Sequence, residues 1–360
     1  MNRNSLIQIL LILSVWVSAR AQDTPSPEKS RVNARYSVSV IDDATLYGNR
    51  NDHVPEVLNQ VLVEPSFSIR SQSHLTFSSS MIGLAGTYSD SYTQLRIKET
   101  YAVLSAGDFD FTLGRKMVRW GTGYAFSAAG VLDPPRIPTN PTDRLNLNEG
   151  RDMIKADWVH GPHAFSLAWS TAVLAPAAAN LHDTTAFRYN VLVRGFDTAL
   201  IAGNDREGDA FGALTFTRVL GQAWEVHGEA VWREQAAVLL GAKYTISGIT
   251  FIGEFYTPPN IPYYSYMGVS PLAGRQHYAF LTIGKSRLRD RPGWKQWSLS
   301  ASVVANLDDR SYTPVFDASR WFGNHFSSYV HMDIPRGSKT SAYGAAPYSA
   351  ATSVGVRFQL

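Results

Sequence analysis

The chain has 360 residues, of which 44% are hydrophobic, 12% aromatic and 18% charged, and it contains no cysteine. The absence of cysteine excludes a disulfide scaffold and a thiolate metal site. The 33 basic residues nearly balance the 30 acidic ones, which excludes the concentrated basic excess on which general nucleic-acid binding depends.

Residues 1–21 have the features of a secretory signal peptide. Arg3 precedes an apolar run from Leu6 to Val17, and Ala19-Arg20-Ala21 follows as a cleavage site. The run is only about half of the ~20 residues that a membrane-spanning helix needs, so we interpret it as a signal rather than an anchor. We expect cleavage after Ala21 and a flexible N-terminal leader over residues 22–30.

From residue 31 onward, apolar and polar residues alternate with the period of a β-strand. No later segment reaches the roughly 18 consecutive apolar residues of a transmembrane helix. The alternation predicts strands over 31–41, 61–70, 75–88, 92–104, 108–119, 152–160, 163–173, 187–193, 197–203, 209–219, 223–233, 236–246, 249–257, 275–287, 294–306, 310–320, 325–333 and 349–360.

The two faces of these strands differ in chemistry. In 223–233, tryptophans occupy one face, while the other carries three charges and a histidine. Apolar residues outside and polar residues inside are typical of a barrel in a membrane, although a soluble sandwich also alternates. With the same division in the next two strands, the residues predicted to line a pore here are Glu225, His227, Glu229, Lys243 and Glu254.

The connections between the predicted strands differ in length in a regular way. Short links tend to alternate with long ones, so that strands running up and down would collect the long links at one end. Outer-membrane barrels have this arrangement of short periplasmic turns and long outer loops. The long connections are 42–60, 120–151, 174–186, 258–274 and 334–348.

These patterns predict an all-β fold, a single transmembrane up-and-down antiparallel β-barrel over residues 31–360. Eighteen strands fit best, and 14 or 16 are allowed because some segments are short. The terminal strand 349–360 alternates up to the carboxyl end and resembles the segment that bacterial barrel-assembly machinery recognises. We therefore expect that machinery and outer-membrane lipid as partners, and the bacterial outer membrane as the location.

Segment 108–119 does not alternate simply. If the alternation of its first residues continued unchanged, Arg115 and Arg119 would face lipid, at a cost of about 2–4 kcal/mol each. A β-bulge at Gly114 would turn both arginines inward. The same bulge predicts that three residues face outward: Lys116, Val118 and Trp120.

With this bulge, basic residues of neighbouring strands lie on one wall of the predicted lumen. Basic side chains in a pore attract anions and repel cations. An alternative is that these charges only neutralise Asp157, the carboxylates of later strands and the acids of the long loop. The predicted basic wall consists of Arg96, Lys98, Arg115, Arg119 and Lys155, and Asp157 is predicted to line the pore beside it.

The connection 120–151 is rich in glycine, proline and charge, which is typical of a shaped rather than a floppy loop. Loops of this length in compact proteins are usually functional. We predict that it narrows or covers the pore, the alternative being a surface loop that folds over the barrel rim. Its candidate constriction residues are Asp133, Arg136, Asp143, Arg144, Glu149 and Arg151.

Three short motifs carry a family resemblance: Leu113-Gly-Arg-Lys-Met-Val-Arg-Trp-Gly-Thr-Gly123, Asp133-Pro-Pro-Arg136 and Asn140-Pro-Thr-Asp-Arg144. Together they resemble the strand-and-loop signature of porin-like outer-membrane barrels, and are distantly similar to the alginate-export type. The resemblance implies a channel with a charged lumen, with its positive positions at Arg115 and Arg119.

The expected function is therefore passive passage of small or medium polar solutes, with a preference for anions and no cofactor. Two alternatives belong to other classes. A barrel hydrolase could use His227 between Glu225 and Glu229 as a base or metal ligand, although no catalytic motif accompanies it. A structural or adhesive barrel would instead act through its outer loops.

Overall fold

The computed structural model describes residues 32–48, 54–71, 74–87, 91–134, 136–140, 144–171, 184–204, 209–233, 236–258, 277–286 and 296–360. The predicted signal peptide 1–21 and leader 22–30 lie outside the described residues. Ala34–Leu360 forms one compact unit. Among the described residues, no helix is long and apolar enough to cross a membrane.

The described residues form eighteen strands, each overlapping a predicted segment. The largest difference is at β1, which continues seven residues beyond its predicted end, so that the predicted long connection 42–60 is reduced to 49–56. Their bounds are β1 Val32–Gly48, β2 Val57–Ser71, β3 Leu75–Thr87, β4 Ser91–Ala106, β5 Phe109–Lys116, β6 Arg151–His160, β7 His163–Thr171, β8 Thr184–Val193, β9 Phe196–Asn204, β10 Ala210–Leu220, β11 Trp224–Trp232, β12 Ala236–Ile246, β13 Ile249–Thr257, β14 Tyr278–Lys285, β15 Trp297–Asn306, β16 Ser311–Phe322, β17 Phe326–Asp333 and β18 Ala350–Gln359. The all-β fold and the count of eighteen are confirmed.

The sheet closes into a barrel. Each strand pairs antiparallel with its neighbours in chain order, and β1 pairs with both β2 and β18. The closing register runs from Ser39 opposite Gln359 to Gly48 opposite Ala350. Closure leaves no free sheet edge and satisfies the backbone hydrogen bonds within the sheet, as a spanning structure requires.

The division between an apolar outside and a polar inside is clearest on β11. Trp224 and Trp232 are 49% and 54% exposed, whereas His227 and Glu229 are only 1% and 2% exposed. Many other large apolar side chains on alternate strand positions are also exposed, among them Leu240 of β12. An exterior of this kind suits contact with lipid acyl chains.

The four longest connections lie at the same end of the barrel, because successive strands run in opposite directions. They are 117–150, 172–183, 258–277 and 334–349. The turns at the opposite end are short, except for 286–296. We call the two ends the loop end and the turn end of the barrel.

The predicted bulge at Gly114 is wrong in its location. The register shift lies one strand away, where Ser80 pairs with Glu99 but Met81 pairs with Ile97, leaving Lys98 of β4 as the extra residue. Gly114 itself keeps a continuous register with β4, although its φ is 119°.

The bulge at Lys98 reverses the parity of β4, so Tyr101 shares an inward row with Gly114 and the buried Met153. Lys116 then points inward, with its Nζ 4.7 Å from the centroid of the Tyr101 ring. The predicted outward orientation of Lys116 is therefore wrong.

Replacing Gly114 by alanine should strongly destabilise the barrel. A Cβ at this position would lie 2.3 Å from the carbonyl oxygen of Thr100, and the φ of 119° is unfavourable for any L-residue. We expect a loss of about 3 kcal/mol or more, from a backbone strain of ~1–3 kcal/mol plus the clash, in urea unfolding from lipid vesicles. Gly107→Ala is the matched control, because Gly107 also has a positive φ but no atom within 4 Å of the added Cβ.

Candidate functional site

The connection 117–150 between β5 and β6 folds into the barrel. Its apolar residues pack in one buried cluster with inward residues of the wall, such as Ile201 of β9 and Leu239 of β12. This cluster excludes the alternative that the loop covers only the rim. It also corrects the predicted outward orientation of two residues in it, Val118 and Trp120.

Glu229 of β11 fastens the first part of this loop. Its Oε1 accepts hydrogen bonds from the backbone N–H groups of Thr122 and Gly123, the latter at 2.8 Å. Its Oε2 accepts from the N–H groups of Ala128 and Ala129, both at 2.6 Å. A carboxylate that accepts several backbone N–H groups makes strong charge-assisted bonds. Glu229 therefore holds the loop and is covered by it, rather than lining an open pore as predicted.

Glu254 of β13 fastens the next residues of the loop in the same way. It accepts the N–H group of Tyr124, and those of Ala125 and Phe126 at 2.8 and 3.2 Å. The Nε2 of His227 lies 3.0 Å from the same carboxylate. Both residues are at most 4% exposed, so they too lie beneath the loop rather than on a pore surface.

The burial of His227 bears on the hydrolase alternative. Its imidazole is paired with Glu254, whose oxygens already accept loop N–H groups, and the loop covers both. In the described part of the chain, no group of three or more histidine and acidic side chains could hold a metal ion. The arrangement serves to position the loop and offers a substrate no access to the histidine.

Asp133 and Arg136 close the first part of the loop on itself. The Asp133 carboxylate accepts the N–H group of Trp120 at 2.5 Å and that of Gly121 at 3.2 Å. Arg136 donates to the carbonyl oxygens of Gly123 and Tyr124 and lies 3.4 Å from Asp133. Burial raises the pKa of Asp133 above its ordinary value, against the opposing effect of these hydrogen bonds and of Arg136.

Arg144 fastens the last part of the loop to the seam between β1 and β18. Its Nε lies 3.5 Å from Asp43, and its Nη2 donates to Ser353 Oγ at 2.7 Å. Arg357 of β18 donates to the carbonyl oxygen of Arg144. Asp143, the neighbouring constriction residue predicted from the sequence, lies outside the described residues. The loop is thus held at two different parts of the wall.

A cavity of about 570 Å³ lies next to both attachment points. Tyr124 and Arg144 of the loop border it, together with inward residues from the turn-end halves of β12 to β18. The charged residues that border it are four basic residues and one acidic residue: Arg144, Lys243, Lys285, Arg357 and Asp317. Lys285 is the last residue of β14 and has the strand parity of the exposed Leu281 and Ile283.

Tyr124 borders the cavity and contacts residues of β11 and β12. Its hydroxyl donates to Glu225 at 2.7 Å and accepts a hydrogen bond from Lys243 at 3.0 Å. Its ring also makes an edge contact with His227, at 5.4 Å between centroids. Glu225 and Lys243, both predicted pore residues, therefore meet at the loop.

The predicted basic wall is not a row of free cations. Lys98 is 2% exposed, and its Nζ lies 2.8 Å from Glu64. Arg115 is 5% exposed and makes a bidentate ion pair with Asp152, at 2.8 and 3.0 Å. These two residues brace the wall, because their charges are neutralised within the protein.

The remaining members of the predicted set are dispersed. Lys155 pairs with Asp157, which also accepts a hydrogen bond from Ser166 at 2.6 Å, and Arg119 is exposed. Glu149 lies 3.3 Å from Arg96 and 3.7 Å from Arg115. Arg151 is not part of the constriction as predicted, because it is buried as the first residue of β6.

Arg115→Met should reduce stability without changing ion preference. Removing one partner of this buried ion pair deprives Asp152 of two charge-assisted hydrogen bonds and costs about 3–5 kcal/mol. Urea unfolding in vesicles would measure this loss, and Arg119→Gln is the exposed control, expected within about 0.5 kcal/mol of the parent. Loss of anion preference in Arg115→Met at unchanged stability would contradict the bracing role.

Several site residues were not among the sequence candidates. Tyr124 lies one residue beyond the motif that carries the family resemblance, and its hydroxyl could have suggested a polar contact. Arg357 alternates with Val356 and Phe358, so the predicted inward face of the last strand contained it. Asp43 could not be found in this way, because its link to Arg144 joins distant parts of the chain.

A second connection, 334–349, also contributes to the interior. Tyr343 is 5% exposed and belongs to the same apolar cluster as the loop residues 118–132. Asp309 accepts the N–H group of Ala342 at 2.6 Å, and Ser311 Oγ accepts that of Tyr343 at 3.1 Å. Two connections of the loop end thus narrow the lumen.

No protein-family model and no curated protein matches the chain. Solved structures do match it. The outer membrane protein OpdK of Pseudomonas aeruginosa aligns with a TM-score of 0.63 at 9% identity, over 91% of this chain and 98% of that chain. The outer membrane protein OprD of the same organism aligns with a TM-score of 0.59 at 11% identity, over 90% and 94%. OccD3 (OpdP) of P. aeruginosa gives 0.61 at 10% identity, over 91% of both chains.

The chain has the fold of these outer membrane proteins. The outer-membrane barrel fold implied by the motifs between Leu113 and Arg144 is therefore confirmed. With sequence identities of 9–11%, the likeness concerns the path of the backbone. What the lumen does has to be inferred from its own side chains.

Proposed function

We propose that this chain is a passive channel of the bacterial outer membrane for small or medium polar solutes. The observation that carries the proposal is the loop 117–150, which is fastened inside a closed barrel beside a polar cavity of about 570 Å³. A loop placed in this way restricts a pore by size while leaving a path beside it. An apolar exterior and the predicted signal peptide 1–21 support export to that membrane.

The position of the constriction follows from the two attachment points. The part of the loop at Tyr124 is bound to β11 and β13, and the part at Arg144 is bound to β1 and β18. Both residues border the cavity. We infer that solutes pass between them, so that the gap from Tyr124 to Arg144 sets the size limit.

The electrostatics of the cavity support a preference for anions. Four basic residues and one acidic residue border it, while the carboxylates of Asp43 and Glu225, 3.5 Å from Arg144 and Lys243, are set back from it. Basic groups therefore predominate at the surface of the path. Such an excess raises the local concentration of anions and lowers that of cations. This basic set replaces the predicted one, because its members border the cavity, whereas Lys98 and Arg115 do not border it and are buried in ion pairs.

The two alternatives have less support. The interpretation that the charges only neutralise one another fits Lys98, Arg115 and Lys155. It fits the cavity only in part: Arg144 and Lys243 lie 3.5 Å from Asp43 and Glu225, but these two carboxylates do not border the cavity. A hydrolase would need access to His227, which the loop covers. An adhesive role would depend on outer loops, whereas 117–150 and 334–349 both bury side chains inside the barrel.

Planar-bilayer recording with the purified protein tests the proposal. We expect stable conductance steps and a reversal potential that reports anion preference in a salt gradient. Absence of conductance from correctly assembled protein would overturn the channel proposal. Conductance with cation preference would overturn the electrostatic part alone.

A further inference from the structure

One side of the cavity is built mainly from hydroxyl groups. On β15, Ser298, Ser300 and Ser302 are successive inward residues that border it, and β14 contributes Thr282. Ser319 of β16 continues the same surface. We call this surface, with its neighbours Trp321, Ser327 and Tyr329, the hydroxyl wall.

The strand register places these side chains beside one another. Ser298 pairs with Ser319, and Ser319 pairs with Tyr329, so three adjacent strands present hydroxyls in one row. A second row joins Thr282 to Ser302, whose hydroxyl donates to Thr282 at 2.8 Å. Directly opposed side chains on neighbouring strands lie about 4.5–5.5 Å apart, so one small solute can contact several of them.

The hydroxyl wall differs from the other inward surfaces. The wall formed by β4 to β6 carries buried or paired charges, such as Lys98 and Asp157. The surface beneath the loop at β11 to β13 carries Glu229 and Glu254, which bind backbone. A polar interior is expected of any barrel, but rows of hydroxyls around a single carboxylate, Asp317 opposite Ser300, are a narrower property.

Basic residues stand at the borders of the hydroxyl wall. Arg357 is opposite Ser327 in the register, and Lys243 and Arg144 border the cavity near the loop. Trp321 pairs with Ser327 and adds an aromatic surface to the same border. A solute in the cavity would therefore meet hydroxyls, cations, one indole ring and the Asp317 carboxylate together.

From this arrangement we infer that the channel favours organic acids that carry several hydroxyl groups, such as sugar acids. The inference rests on the proposed channel function and adds to it the class of solute. A hydroxyl both donates and accepts hydrogen bonds, so serine and threonine can bind a polyol in many orientations. The basic residues would bind the carboxylate, and the indole face would contact the apolar side of the sugar ring.

Hydroxyl groups also suit transport rather than retention. A single neutral hydrogen bond is worth about 0.5–1.5 kcal/mol, so it holds a solute weakly. A row of equivalent partners lets a solute exchange one bond for the next along the wall. Conduction needs binding that is favourable enough to enter and weak enough to leave.

Two solutes of equal charge and similar size test the inference: glucuronate, which carries hydroxyls on its ring, and cyclohexanecarboxylate, which does not. Isothermal titration calorimetry on the protein in detergent measures binding, and liposome swelling measures relative permeation. We expect the parent protein to bind and pass glucuronate better. In Ser300→Ala/Ser319→Ala, the affinity for glucuronate should fall by about fivefold for each hydroxyl lost.

Ser166→Ala is the matched control, because Ser166 is a half-buried serine that bonds Asp157 and does not border the cavity. It should keep the preference. Equal behaviour of the two solutes in the parent, or a preference that survives in the double variant, would overturn the inference. If the double variant does not assemble, the two single variants replace it.

The channel proposal fails separately from this inference. Anion-preferring conductance without preference for glucuronate would leave the channel intact and reject the hydroxyl wall as a recognition surface. Calorimetric binding of glucuronate without any conductance would support the wall and reject the channel. The two measurements therefore give different results for the two claims.

Discussion

Glu229→Gln should release the first part of the loop 117–150 and raise the single-channel conductance severalfold. The substitution keeps the size of the side chain but removes its charge and one acceptor oxygen. The amide NH₂ would face one of the two pairs of backbone N–H groups that now donate to the carboxylate. Hydrogen bonds to a charged group are worth roughly 1.5–3 kcal/mol each, so the loop should lose about 3 kcal/mol or more.

The barrel itself should tolerate this change. Glu229 takes part in the sheet through its backbone, and its side chain binds only loop groups in the described contacts. Conductance should therefore rise while heat-modifiable migration on gels stays that of a folded barrel. A variant with normal conductance and normal loop protection in hydrogen exchange would contradict the anchoring role.

Glu225→Gln on the same strand is the matched control. Glu225 also faces inward, but its side chain is 22% exposed and bonds the hydroxyl of Tyr124 rather than a group of backbone N–H donors. Its contacts with the Tyr124 hydroxyl and with Lys243, at 3.5 Å, are made at a partly exposed site and contribute little to holding the loop backbone. Its conductance should stay close to that of the parent protein.

Reversing two cavity charges should reverse the ion preference of the channel. Lys243→Glu/Arg357→Glu converts two of the four basic side chains to acidic ones, in a cavity that has one carboxylate. The cavity then contains two basic and three acidic groups, a net negative charge. We expect a change in the sign of the reversal potential in a tenfold salt gradient.

The control for this prediction is Lys155→Glu, which reverses a charge of the basic wall predicted from the sequence. Lys155 pairs with Asp157 on the wall formed by β4 to β6 and does not border the cavity. Its reversal should leave the sign of the reversal potential unchanged. If Lys155→Glu alone inverted the preference while the cavity double variant did not, the path would have to follow the opposite wall.

The fold was predictable because one local rule governs it. Alternation with period two and turn residues at its interruptions identify all eighteen strands, including the short ones at Thr184–Val193 and Phe196–Asn204. Lipid outside and water inside impose this alternation on every spanning strand, so tertiary contacts do not override it. The exceptions occur where β4 and β5 meet the loop, at Lys98 and Gly114.

The candidate site was only partly predictable. The alternation along a strand indicates that a side chain points inward, but it does not indicate which groups the side chain contacts there. His227, Glu229 and Glu254 do point inward, yet the loop covers them. Arg115 had the right charge for a filter, but Asp152, in the neighbouring strand, neutralises it. Such pairings depend on the register and on a loop whose path no periodicity describes.

The anchoring of the loop has a consequence for how such barrels can be re-engineered or recombined. The partners of Thr122 and Tyr124 lie 107 and 130 residues further along the chain. Segment 117–150 therefore cannot be exchanged between barrels on its own. If it were moved into another barrel, Glu229 and Glu254 would have to be moved with it. During folding, its backbone groups can find these acceptors only after the chain has placed β11 and β13, so the constriction should be among the last parts to form.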